Sequence, residues 1–145
     1  MRLMLCAVFA LVLCFSPSVR SDDTKADALN GTWVPSSAEL GGQPLPEDAR
    51  KSIKLELKDG KYTLTLGQRV DRGTVKADPS AKPKTMDITG VEGPNQGKKF
   101  LAIYELEGDS LRICYDLAGK ARPTEFKAPP GSQRFLVTYK REKKS

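Results

Sequence analysis

The chain contains no histidine. That excludes a Ser-His-Asp or Cys-His nucleophile system built within it. Cysteine is nearly as scarce, with only Cys6, Cys14 and Cys114. Two of these lie in the apolar N-terminal stretch, so a processed chain would keep Cys114 alone. One thiol makes no internal disulfide, and without histidine it makes no zinc site. No D-x-[DN]-x-[DN]-G calcium loop is present either. No metal and no cofactor are therefore expected. Aromatic residues are few, at 7% of the sequence. The positive charges are scattered, apart from Lys140, Arg141, Lys143 and Lys144. A nucleic-acid binder would show a basic face with interleaved aromatics, so no nucleic-acid partner is expected.

Long hydrophobic runs are missing too, except at the N-terminus. Leu3 to Phe15 is almost wholly apolar. It is shorter than the about 20 residues that span a bilayer. Met1-Arg2 precedes it, and Val19-Arg20-Ser21 follows with small residues at the first and third positions of a cleavage site. Residues 1–21 are read as a secretory signal peptide. The protein is then periplasmic or secreted and does not span a membrane. Removal of Arg2 and Arg20 lowers the formal charge from +6 to +4. Residues 22–28 form a flexible lead-in, 29–141 a single domain and 142–145 a basic tail. A chain of this length buries roughly two-thirds of its unfolded surface and can fold without staples.

What is present is period-2 alternation. Ile53, Leu55 and Leu57 alternate with Lys54, Glu56 and Lys58; Tyr62, Leu64 and Leu66 alternate with Thr63 and Thr65. Asp59-Gly60 between the two runs predicts a type I′ hairpin. Strands are also expected over Gly31–Glu39, Gln68–Lys76 with a bulge or bend at Gly73, Thr85–Thr89, Phe100–Leu106, Leu111–Leu117 and Phe135–Tyr139. Gly41-Gly42-Gln43-Pro44 breaks the first strand, and Pro46–Lys51 predicts one short helix. Gly90–Gly97 and Ala118–Ser132 are expected as loops. Short connections predict an all-β, single antiparallel up-and-down barrel of about eight strands, because closure removes exposed edges. Such a barrel is either filled by side chains or holds one small ligand. Leu55, Leu57, Leu64, Leu66, Met86, Ile88, Ile103, Ile113, Phe135 and Val137 are the expected inward residues.

Few motifs suggest chemistry. Gly93-Pro94-Asn95-Gln96-Gly97-Lys98-Lys99 is one residue short of a phosphate loop and has lysine where Ser or Thr should hold magnesium. Glu105 and Glu107 share one strand face, as solvated charges commonly do. Asn30-Gly31-Thr32 fits a glycosylation acceptor. Cys114 reads as a small core residue; a reactive thiol would need a positive neighbour such as Arg112. Proline holds Arg122 in extended backbone. Arg122 is then either a latch on a long loop or an anion-binding group at the barrel mouth, with Phe126 plugging the barrel beyond it.

Gly31-Thr32-Trp33 resembles the G-x-W opening of a lipocalin-type barrel. That resemblance implies that Trp33 closes one barrel end beneath an arginine near the last strand, here Arg141. A guanidinium stacks well on an indole face. Over nearly the whole processed chain, the sequence resembles a family of exported, uncharacterised domains abundant in planctomycete bacteria. The matching pieces are Leu29-Asn30-Gly31-Thr32-Trp33, Glu39 with Gly42, Asp59-Gly60-Lys61-Tyr62, Ile103-Tyr104-Glu105-Leu106, Leu111-Arg112-Ile113-Cys114-Tyr115 and Arg122-Pro123-Thr124-Glu125-Phe126. This resemblance implies a lipocalin-like fold and export, and carries no activity. The expected function is a non-enzymatic β-barrel domain that binds a small apolar or anionic ligand. Arg122, Arg112, Tyr104, Tyr115 and Cys114 are the candidate ligand-binding residues. The alternative is a filled barrel that serves as a structural or protein-interaction module. An enzyme built on Cys114 or a carboxylate pair is a third reading.

Overall fold

The computed structural model describes residues 28–143. The expected signal peptide and residues 22–27 of the lead-in lie outside the described residues, as do the last two residues of the basic tail. The elements run β1 (Gly31–Leu40), β2 (Gln43–Pro44), α1 (Glu47–Lys51), β3 (Ile53–Lys58), β4 (Lys61–Leu66), β5 (Arg69–Asp78), β6 (Lys84–Glu92), β7 (Lys99–Glu107), β8 (Ser110–Asp116) and β9 (Arg134–Arg141). Each strand from β3 to β9 pairs antiparallel with the next. β1 pairs with both β3 and β9. The protein is a closed antiparallel eight-strand barrel with one extra strand, β2, and one short helix.

Alternation builds the wall. On β3, Ile53, Leu55 and Leu57 are buried and Lys54, Glu56 and Lys58 are exposed. Burying each such aliphatic side chain stabilises the fold by about 2 kcal/mol. A charged outer wall around an apolar interior is the inverse of the pattern in membrane-spanning barrels. Among the described residues, no helix is long and apolar enough to cross a membrane. The β3–β4 hairpin turns at Asp59 and Gly60, with φ of 51° and 77°. Those are the two left-handed positions of a type I′ turn.

A bulge does fall at Gly73, but its extra residue is on the partner strand: Arg72 pairs with Glu92 and Gly73 with Gly90, which leaves Val91 of β6 as the extra residue. The β5–β6 register shifts between Arg72 and Gly73. Gly73 faces Tyr62 across the β4–β5 pair. A Cβ on Gly73 would lie 2.0 Å from the Thr89 carbonyl oxygen and 2.6 Å from Tyr62 Cε1. The missing side chain is the space that the Tyr62 ring occupies.

Three readings need correction. Gln43–Pro44 does not only interrupt β1; it folds back on Leu40 and Glu39 as β2. Gly90–Glu92 is strand, the end of β6, and not loop. Ile103 is fully buried but faces outward: Ala102 and Tyr104, its neighbours on β7, belong to the interior core. The strap of residues 117–133 lies on this face: Cys114, the cross-strand partner of Ile103, is buried against the strap's Lys127 carbonyl, and the strap's own Pro123 and Ala128 are buried. Buried on both sides, β7 loses the polar alternation that would mark its inner face.

The two barrel ends differ. At one end, Trp33 is fully buried and Arg141 stacks on it, with the guanidinium carbon 4.3 Å from the ring centre. Trp33 Nε1 donates to the Leu29 carbonyl at 2.9 Å. Arg141 donates to the carbonyls of Asn30 and Ala28 and to the Asp109 carboxylate. The Asn30 side chain donates to Asp59 Oδ1 and accepts from the Asp59 N–H, tying this end to the β3–β4 turn. This end is closed. The other end is ringed by Leu40, α1, Leu66, the 93–98 loop and Leu117.

Candidate functional site

Inward residues of the open half enclose a cavity of about 530 Å³. Drug-sized ligands occupy pockets of roughly 300–1,000 Å³. The lining is aliphatic and aromatic for most of its depth: Ile53, Leu55, Leu57, Leu64, Val75, Met86, Ile88, Phe100, Ile113 and Phe135. Leu40, Leu66 and Leu117 continue it onto the rim, each about two-fifths exposed. α1 contributes Ala49, and its C-cap contributes Ser52. Arg50 holds the helix there by donating to the Pro35 and Ser36 carbonyls at 3.3 and 3.0 Å.

Two polar groupings interrupt the apolar lining. Asp71 is 2% exposed. It accepts from Tyr62 Oη at 2.9 Å, Asn95 Nδ2 at 2.9 Å and the Asn95 backbone N–H at 3.2 Å. It thus fastens the 93–98 loop to the barrel wall. Burial pushes the Tyr62 hydroxyl up first, and its hydrogen bond to Asp71 and the Asp71 charge push it further. The second grouping is the Tyr115 and Tyr139 hydroxyls, 3.1 Å apart. Burial raises both, Tyr115 well above the usual tyrosine value and Tyr139 up to about 12. All three hydroxyls are therefore protonated donors at neutral pH. The Tyr115 ring stacks on Phe135, with centres 5.9 Å apart. Lys98 also lines the cavity, at its exposed rim.

The expected site residues do not gather in this cavity. Of the five, Tyr115 alone lines it. Tyr104 faces the interior core but stands outside the lining, and burial raises its hydroxyl. Arg112, Cys114 and Arg122 are on the outside. Arg112 donates to Glu105 across the β7–β8 pair at 2.7 Å, and its guanidinium carbon lies 4.1 Å from the Phe126 ring centre. Phe126 therefore packs on the outer wall and plugs nothing. Cys114 is fully buried beneath the strap, with Sγ 3.4 Å from the Lys127 carbonyl. Burial raises its thiol, outweighing Arg134 and Arg112. That is the opposite of an activated nucleophile.

Arg122 takes the place of a latch and not of a mouth residue. It donates to the Ala102 carbonyl at 2.9 Å, the Met86 carbonyl at 3.3 Å and the Asp87 carboxylate. Those partners are on the β6–β7 wall, so Arg122 clips the strap down. Asp116 holds the start of the strap by accepting from the backbone N–H groups of Ala118, Lys120 and Ala121 at 3.2, 3.0 and 2.8 Å.

The residues that sequence reasoning missed are Asp71, Asn95 and Tyr139. A signal for Asp71 was present: Asp71, Gly73, Val75 and Ala77 alternate with Arg72, Thr74 and Lys76. That pattern puts a carboxylate on the inner face of β5. No family model, curated protein or solved structure matches the chain.

Proposed function

We propose that this protein is an exported, non-enzymatic carrier or sensor that binds one small, mainly apolar molecule inside its barrel. The observation that carries this reading is the apolar cavity of about 530 Å³, closed at the Trp33 end and open at the other. The cavity counts against a filled barrel that works through its surface alone. The charge-paired Arg112, the shielded Cys114 and the latched Arg122 count against chemistry on the outer wall. Export rests on the signal-peptide pattern of residues 1–21, and membership of the planctomycete domain family on the motifs quoted for it.

The test is the mass of the purified protein, native and then denatured, together with binding of the neutral fluorophore N-phenyl-1-naphthylamine. The reading expects either a mass excess lost on denaturation or saturable uptake of one fluorophore per chain. The absence of both a mass excess and uptake would overturn it.

A further inference from the structure

The polarity of the cavity narrows the class of ligand; this step rests on the binding reading above. Two tyrosine hydroxyls carry two protons. A single hydrogen bond joins Tyr115 and Tyr139, and it uses one of them whichever residue donates. Among the described residues, no protein group accepts the other. Tyr139 is 1% exposed, Tyr115 is half-buried and both line the cavity, so the spare O–H faces into it whichever residue carries it. A buried donor without an acceptor is costly in an apolar setting, and a matching group on a ligand recovers that cost.

Charge decides what kind of acceptor fits. Asp71 is the buried charged side chain of the lining, and among the described residues it has no ion-pair partner. Its three donors come from Tyr62 and Asn95, so its role as a loop clamp is already filled. An anionic head group drawn into the cavity would share its low-dielectric interior with that negative charge, and like charges repel there. The lining's one cation, Lys98, is out at the rim.

We infer that the ligand is a neutral molecule with an apolar body and an uncharged oxygen acceptor, such as a ketone, ester or ether, seated against the Tyr115–Tyr139 pair. A free fatty acid is the wrong class, because its carboxylate would share the cavity with the Asp71 carboxylate.

Displacement of N-phenyl-1-naphthylamine tests this with three matched compounds: octan-2-one, its hydrocarbon isostere 2-methyloct-1-ene, and octanoate. The ketone is expected to displace the fluorophore at a lower concentration than octanoate. In the double variant Tyr115→Phe/Tyr139→Phe, ketone binding should weaken about fivefold more than isostere binding, the effect of one lost hydrogen bond. Octanoate outcompeting the ketone would overturn the inference. So would equal changes for ketone and isostere in the double variant. The ketone–octanoate comparison on the unaltered protein stands even if that variant fails to fold. Binding of all three without regard to acceptor or charge would leave the cavity reading intact and sink this one. No binding of the fluorophore or of any of the three, together with no mass excess lost on denaturation, would sink both.

Discussion

Arg141 covers Trp33 as a lid covers a drain, its guanidinium carbon 4.3 Å from the indole centre. The same guanidinium is tied to the two carbonyls that precede β1 and to the β7–β8 turn. One side chain thus joins the first strand, the last strand and a hairpin. Replacing it with alanine should destabilise the fold by about 2 kcal/mol, from the lost stacking and hydrogen bonds. Arg141→Lys should recover only part, because a lysine keeps the charge and loses the fork. Urea midpoints at constant slope measure both, and an unshifted midpoint for the alanine variant would remove this cluster from the account of stability.

A methyl group at position 73 should be more damaging than its size suggests. The added Cβ would sit 2.0 Å from a backbone oxygen of β6, which cannot turn aside as a side chain can. Gly73→Ala should cost about 3 kcal/mol. It should also displace the Tyr62 ring and with it the clamp on Asp71. Urea unfolding and proteolysis within residues 93–98 read the two effects separately. A variant as stable as the parent would mean that the β5–β6 bulge can move.

Arg122 separates a latch from a binding group. As a latch, Arg122→Ala should lower stability by about 1–3 kcal/mol, the range for loss of charged hydrogen bonds. It should leave uptake of N-phenyl-1-naphthylamine unchanged at temperatures where the variant is folded. Weakened uptake with unchanged stability would reverse the assignment.

The strap should loosen in acid. Burial works to raise the Asp116 carboxyl, but the N–H groups of Ala121, Lys120 and Ala118 outweigh it, with help from Arg134. The carboxyl ends below its ordinary value of about 3.9. A group depressed on folding adds stability that is present in full above its unfolded value and fades as pH falls through the folded one. The loss therefore belongs below about pH 4. Asp116→Asn should flatten that acid limb in a pH series of urea midpoints. A limb of unchanged slope would place the acid sensitivity elsewhere.

Cys114 reports on the same strap. In the native protein near neutral pH, it should resist a pyridyl disulfide, and it should react fully after denaturation. Asp116→Asn should speed the native reaction. A fast reaction in the unaltered protein would show that the strap opens readily.

Much of this barrel was legible where one face is wet and the other dry. Ile53 to Leu66 alternates cleanly, so its strands, register and turn follow from period and from Asp59-Gly60. Trp33 and Arg141 could be paired only through the resemblance of Gly31-Thr32-Trp33 to a lipocalin opening; the pairing of β1 with β9 then brings the two together. Legibility failed where both faces are dry. Leu101 to Tyr104 is apolar throughout, since the strap buries the outer wall, and Ile103 then looks as inward as its neighbours. The cavity was beyond sequence for a related reason. Whether leucines fill a space or line it depends on strand tilt and on a bulge at Val91 that shifts β6 by one residue against β5. Asp71 was hidden by company, set among Arg69, Arg72 and Lys76 of its strand. Tyr139 was read only as a member of the last strand, because its partner Tyr115 is joined to it through the register of β8 on β9.

Ala28 and Arg141 are held together by a hydrogen bond at the Trp33 end. The described chain therefore enters and leaves the barrel at the pole opposite the opening. An attachment carried on either side, whether a surface tether, a fusion partner or a purification tag, would hang from the sealed base and leave the entrance facing away from it. Immobilised through either route, the protein would present its opening to solution like an upturned cup.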